Sequence, residues 1–281
     1  MIAPRIDPGQ REFAGPAAEA ADLAFFAGAM RARAGVVLPE SKAALIYRRL
    51  APRVRELGLA DFASYRARLS DPADPEWDAI VAALTTNHSR FFREIHHFRL
   101  LDRHLAAMLR AGAKRIRFWS AGCAAGQEPY SMAMLLARAD VAAAGVDARV
   151  LATDIDPTAL AAAEAAVYPR DDVGHLPRFA RAYLRAGTDG KWTLAGPPRE
   201  MVRFKRHNLV GDVWPMKGPF DAIFCRNMLI YLSPEDQARV VARLVGYLRP
   251  RGILCLGHSE TARDPALPIN RLDVPSAYVR H

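Results

Sequence analysis

The chain has 281 residues, 51% hydrophobic and 25% charged, enough for one large or two ordinary cored domains and too apolar for an intrinsically disordered chain. No apolar run approaches the roughly 18 residues of a membrane span, and the start, MIAPRIDPGQREF, has no apolar signal region, so a soluble, cytoplasmic protein without membrane insertion is expected. Net charge is +9, with nine Lys or Arg against three acids between Arg31 and Leu69, which points to an anionic partner, nucleic acid or an acidic protein surface, unless it is only a solvated helix face.

From about residue 17 to 109 the apolar spacing of ADLAFFAGAM, AALIYRRL and DAIVAALTT suits helices, punctuated by Gly35, Leu38-Pro39, Gly58 and DPADP. An all-helical N-terminal domain is expected over 1–108. Within it, KAALIYRRLAPRVREL places Arg48 and Arg55 seven apart and Arg49 and Arg53 four apart, in adjacent rows on one helix face. Pro52 interrupts this run, so a bend or a fresh start is expected there. His96 and His97 are neighbours whose side chains should point apart on a helix, and no H-E-x-x-H is present, so no metal is expected.

Over 109–281 the pattern changes. RIRFW, ARVLAT, FDAIFC and GILCLG read as buried parallel strands, alternating with the helices QEPYSMAMLLARA, PTALAAAEAA and PEDQARVVARLVGYL. This is the signature of a doubly wound, mostly parallel α/β sheet. Asp156-Pro157 and Ser233-Pro234 mark helix starts, each a capping acceptor before a first-turn proline. Near 175–202 the alternation breaks, and a small antiparallel β insertion is expected around TDGK. Cys123, Cys225 and Cys255 are too few and too scattered for a disulfide framework or a zinc site and read as buried core residues.

Ligands of such sheets bind beyond the carboxyl ends of the strands. The first turn of this kind, WSAGCAAGQE, carries Gly122 and Gly126 but not the full dinucleotide fingerprint, which disfavours a pyrophosphate cofactor. Asp154, ending the second strand, sits where an acid accepts ribose hydroxyls. Together these suit a nucleoside cofactor without a phosphate cradle. S-adenosyl-L-methionine is the candidate, its ammonium group facing Glu128.

Four segments then coincide with one family. TTNHSRFFREIHHF, WSAGCAAGQEPYSMAM, ATDID followed by AAAEAAVYP, and FDAIFCRNMLIYLSPEDQ followed by LRPRGILCLGHSE resemble, in order, the CheR chemoreceptor glutamate methyltransferases. The resemblance runs from about Phe26 to the C-terminus. It implies a Rossmann-like methyltransferase sheet and S-adenosyl-L-methionine as cofactor, with S-adenosyl-L-homocysteine as product. By position it implies cofactor contacts at Asn87, Ser89 (a threonine in most relatives), Arg93, Glu128, Asp154, Asn208, Leu209, Arg226 and Asn227. Arg93 and Tyr231 are the implied catalytic positions, Arg93 forking onto a carboxylate of cofactor or substrate. The basic helix with Arg48, Arg49, Arg53 and Arg55 is implied to face the acidic methylation helices of a receptor.

A glutamate with a pKa of about 4.3 is already an anionic nucleophile, so the implied reaction asks for in-line placement and exclusion of water, and for no general base. A nucleic-acid methyltransferase is the first rival, but CRNMLIYL replaces the Asn/Asp-Pro-Pro-Tyr-type element and no aromatics interleave the basic run, so no nucleic acid is expected. A cofactor-binding module without catalysis is the second. Some relatives tether to a receptor-tail pentapeptide through a glycine-rich loop in the insertion. Here YLRAGTDGKWTL keeps only Gly187 and Gly190, so the pentapeptide is expected not to be required. A monomer is expected.

Overall fold

A computed structural model describes residues 15–187 and 189–281; the MIAPRIDPGQREF start lies outside them. The chain divides into two compact units. One contains the described residues up to Met30 together with Leu38–Leu84, and the other contains Arg31–Val37 and Thr85–His281.

The first unit is helical, as its apolar periodicity predicts. It holds most of α1 (Ala20–Ala34), then α2 (Ala43–Glu56), α3 (Phe62–Arg68) and α4 (Glu76–Leu84). Phe26 packs edge-on to Phe62 at 6.0 Å and against Tyr65 at 5.2 Å, and Ile46, Leu50 and Val54 of α2 are buried. Asp61 starts α3 by accepting the Ser64 N–H. No new helix starts at Pro52: α2 runs through it from Ala43 to Glu56. The face that Pro52 occupies is exposed, while Ile46, Leu50, Ala51 and Val54 anchor the buried side.

Arg53 has a different task from the one its spacing implied. Its guanidinium forks onto Glu76 at 2.8 and 2.7 Å, and the Tyr65 hydroxyl donates to the same carboxylate at 2.6 Å. The Arg53 hydrogen bonds hold Glu76 below the usual carboxylate range against the opposing effect of burial. Arg53→Ala is therefore expected to destabilise this unit by about 1–3 kcal/mol, because a buried carboxylate loses its charged donor. Glu76's folded pKa is lowered, so this stabilisation is present above the ordinary glutamate value of about 4.3 and is lost as pH falls through the depressed one. Urea denaturation of both proteins at neutral pH and near pH 3 tests the size and the sign.

The second unit is built on a seven-stranded sheet of order β6-β2-β1-β7-β8-β10-β9. Its strands are β1 (Arg115–Ala121), β2 (Asp147–Asp154), β6 (Val202–Arg206), β7 (Phe220–Cys225), β8 (Leu248–Leu256), β9 (Ile269–Arg271) and β10 (Ala277–Arg280). Pairings from β6 through β8 are parallel, and β10 runs antiparallel to β8 and β9. Alternation along β1 serves two cores. Ile116 and Phe118 point to one face, with Phe98, Leu101 and Leu105 of α5 (Ile95–Arg110) and the buried residues of α6 (Gln127–Arg138). Trp119 and Ala121 point to the other, with Trp214, Phe220 and Leu244. The α5 helix, expected to close the N-terminal domain at 108, groups instead with this second unit because its apolar face completes the sheet's core.

Asp156 caps α7 (Pro157–Ala165) by accepting the Thr158 and Ala159 N–H groups, and Ser233 caps α11 (Pro234–Tyr247) through Asp236 N–H. A separate antiparallel sheet, β3-β5-β4, is formed by β3 (Val167–Pro169), β4 (Leu184–Ala186) and β5 (Lys191–Leu194), with short helices α8 (Arg170–Val173) and α9 (Arg178–Arg181) between. It starts earlier than the 175 expected. After α10 (Pro197–Met201), Val202 already belongs to the main sheet. All three cysteines are buried, and burial pushes their thiols up. No helix among the described residues is long and apolar enough to cross a membrane.

Candidate functional site

The central strand β1 has β2 on one side and β7 on the other, so the strand order reverses at its carboxyl end, where a crevice opens in such sheets. The turn after β1 is tied to β2 by Gly122 and Cys123 N–H groups donating to Thr153 C=O at 2.8 and 2.9 Å. Gly126 is needed in its left-handed conformation (φ 91°), since a Cβ there would lie 2.9 Å from that of Ala163.

Asp154 holds this turn. Its Oδ2 accepts the Ala124 N–H at 2.8 Å and its Oδ1 the Asp156 N–H at 3.0 Å. Burial pushes its carboxyl up, and each oxygen keeps a lone pair for a hydroxyl ligand.

Beside the turn lies a buried charge cluster. Glu128, in the first turn of α6, accepts from Ser120 Oγ at 2.7 Å and from Arg226 at 2.9 Å. The Arg226 side chain is 2% exposed, pairs with Glu94 at 3.3 Å, and donates to the Arg93 carbonyl. Burial pushes the Glu128 carboxyl up. Burial also opposes ionisation of Glu94, but Arg226 and His258 outweigh it and hold that carboxyl below its ordinary range. One cation between two acids leaves room for a second positive group, and the phosphate-free turn carries an acid with spare acceptors. The residues present thus fit a nucleoside cofactor with an ammonium group.

The other implied contacts are placed less uniformly. Asn87 donates to Asp156 at 2.6 Å, tying its segment to the cap of α7. Ser89 is half-buried nearby in sequence, and Arg93, also half-buried, donates to the His88 carbonyl at 3.1 Å. Asn227 is left-handed (φ 59°), its N–H donates to Glu260 at 2.9 Å, and its side-chain amide lies 3.5 Å from Glu94. Asn208 donates to the Arg33 carbonyl at 2.7 Å and accepts the Val210 N–H at 3.1 Å, while Leu209 is buried in the Trp119 core. Tyr231 ends a 3-10 turn (Leu229–Tyr231) and is half-buried. Glu128, Arg226 and Asn227 thus meet around Glu94, and Arg93 takes part through its backbone carbonyl. Asn87 and Asp154 meet at Asp156, while Asn208 and the Tyr231 carbonyl bond to residues 33 and 37.

Of the four arginines on α2, Arg48 and Arg55 are exposed, Arg49 donates to the Ala83 carbonyl at 3.3 Å, and Arg53 is the internal bridge already described. Arg53 does not share the free face of Arg48 and Arg55.

Sequence reasoning quoted FFRE and GHSE without giving a role to Glu94 or Glu260. Glu260 accepts N–H groups from Gly257 (2.6 Å), Asn227 (2.9 Å) and Ile230 (3.3 Å), joining the loops after β7 and β8. A buried arginine such as Arg226 needs an acidic partner, but its burial shows only in the fold. The rings of His96 and His97, expected to point apart, lie 4.3 Å between centroids, and with Glu94 they offer ligand atoms within 4.8 Å of one another. Arg226 already supplies the positive charge at that carboxylate, so we assign the cluster no metal. Burial pushes the His97 imidazole down to about 4. The ring is therefore neutral at pH 7, and Nε2–H donates to the Pro275 carbonyl at 2.7 Å.

Comparison with known proteins places the chain in a family. The profile described as "CheR methyltransferase, SAM binding domain" matches residues 87–271, and "CheR methyltransferase, all-alpha domain" matches 21–85. A "Chemotaxis protein methyltransferase" of Klebsiella aerogenes is 43% identical over 81% of this chain and 79% of its own length. One of the same name from Escherichia coli K12 is 41% identical over 81% and 80%. With profile matches across both units and relatives at this identity, the chain belongs to the CheR family of S-adenosylmethionine-dependent methyltransferases.

Proposed function

We propose that this enzyme methylates glutamate side-chain carboxylates on the cytoplasmic helices of chemoreceptors, acting as a protein-glutamate O-methyltransferase in chemotaxis-type signalling. The observation that carries the proposal is family membership alongside relatives named for chemotaxis methylation. The site chemistry agrees with it. Bound S-adenosylmethionine supplies a methyl group on a positively charged sulfur. Asn87, Ser89, Glu128, Asp154, Asn208, Leu209, Arg226 and Asn227 hold it, with the Glu94–Arg226–Glu128 cluster favouring its ammonium. Arg93 and Tyr231, both partly exposed, orient a carboxylate that arrives already ionised, so they need only donate hydrogen bonds. Labelled methyl transfer to receptor-bearing membranes, followed by mild alkali, tests the reading. Released label identifies an ester, whereas alkali-stable label on an amine would overturn it.

Arg48 and Arg55, with Arg49 beside them, form the proposed docking face, and Arg53 is withdrawn from it because it holds Glu76. Charge reversal at Arg48 and Arg55 is expected to raise the receptor KM and leave cofactor affinity unchanged. Raising salt should shrink the difference, since exposed charges are screened over about 8–10 Å near physiological ionic strength. An equal salt response in both proteins would count against docking there.

We propose further that the enzyme works as a cytoplasmic monomer and needs no receptor-tail pentapeptide. The β4–β5 connection that would carry the glycine-rich loop spans only residues 187–190. Titration should show no binding at a Kd of about 10 μM or tighter.

A further inference from the structure

Residues 33–37 lie against two of the proposed site residues. Gly35 N–H donates to the Arg31 carbonyl at 3.0 Å, closing the last turn of α1 with a left-handed glycine (φ 69°). This leaves later carbonyls of the helix without intrahelical donors. One of them, Arg33 C=O, receives the side-chain N–H of Asn208 at 2.7 Å, and Asn208 Oδ1 in turn accepts Val210 N–H at 3.1 Å. The Asn208 amide is thus fixed at both ends while keeping a second N–H and a second lone pair. Two residues beyond Gly35, Val37 N–H donates to the Tyr231 carbonyl at 2.8 Å. Between these two contacts Gly35 sits against Val210, where a Cβ would lie 2.6 Å from Cγ1 and 2.9 Å from Cγ2.

We propose that residues 33–37 are a positioning strap of the site, which sets the Asn208 amide and the Tyr231 turn together, and that Gly35 is there because only glycine lets the strap lie on Val210. The proposal rests on Asn208 and Tyr231 belonging to the site. A Cβ at position 35 pushes directly on the turn that carries Asn208, so the effect is local to the cofactor end of the sheet. Backbone strain alone does not account for it, and a matched glycine separates the two. Gly145 has nearly the same φ (65°) and nothing within 4 Å of its would-be Cβ.

The test is S-adenosylhomocysteine binding by calorimetry, at a temperature where every variant is fully folded by circular dichroism. Gly35→Ala is expected to raise Kd about tenfold, while Gly145→Ala leaves it unchanged. Adding Val210→Ala to Gly35→Ala should recover most of the loss by removing the methyls that collide. Asn208→Ala distinguishes the proposal from the reading beneath it. If Asn208→Ala weakens binding but Gly35→Ala does not, the strap is overturned and the site stands. Unchanged binding in Asn208→Ala removes Asn208 from the cofactor site and overturns both.

Discussion

Arg226→Met is expected to destabilise the protein by about 3–5 kcal/mol, the range for removing one partner from a buried ion pair. Methionine approximates the stem and its packing against Phe98 and Phe224, over whose rings the guanidinium sits at 5.7 and 5.6 Å. What it removes is the charge that Glu94 and Glu128 share. Left facing each other in a buried site, the two carboxyls take up a proton, and their folded pKa values rise above the unfolded ones. Groups with raised folded pKa values stabilise below the unfolded value, and that contribution is lost as pH rises through the folded one. The deficit relative to wild type should therefore be largest near pH 7 and shrink towards pH 5. Adding Glu128→Gln should recover part of it. Urea denaturation at both pH values decides, and an equal deficit at each would mean that packing, not charge, is what Arg226 supplies.

Asp154→Ala should weaken cofactor binding at least about tenfold, as expected for losing a charge-assisted acceptor worth about 1.5–3 kcal/mol. Its effect has two parts. A ligand acceptor disappears, and the N–H groups of Ala124 and Asp156 lose the carboxylate that sets the glycine turn. Asp154→Asn separates them poorly, because an amide offers one acceptor oxygen and must turn its NH2 towards one of those donors. It should bind little better than the alanine variant. Calorimetry with S-adenosylhomocysteine on folded protein measures this, and unchanged affinity would remove Asp154 from the cofactor site.

The buried parallel strands were legible because each is a short, mostly apolar run bounded by helical stretches, FDAIFC being buried at every position. The strand β6 was not. VRFKR exposes most of its length at the edge of the parallel sheet and follows the insertion directly, so it resembles a further piece of that insertion. The strands β9 and β10 are three and four residues long, too short for a period to register. In the site, Asp154 was legible because its place at a strand end is a rule of the fold. Glu94 was not, since its importance lies in Arg226, far along the chain. Helical spacing likewise grouped Arg53 with Arg49, while its true partner, Glu76, stands on another helix 23 positions away.

Glu260 has a bearing on how the enzyme is made. Asn227 holds its left-handed backbone with an N–H on a carboxylate 33 positions later, Arg226 meets Glu128 across 98 positions, and it meets the Arg93 carbonyl across 133. Contacts at such separations form late, after the loops between them have closed. On the ribosome, β1 and β2 can pair and bury their apolar faces long before residue 260 is synthesised. Until then Arg226 has its acids but Asn227 has no clamp, so a nascent or truncated chain can acquire the five parallel strands without acquiring the pocket. Ligand added during translation would then protect only chains extended past the GHSE segment from protease, a boundary that arrested nascent chains of graded length would reveal.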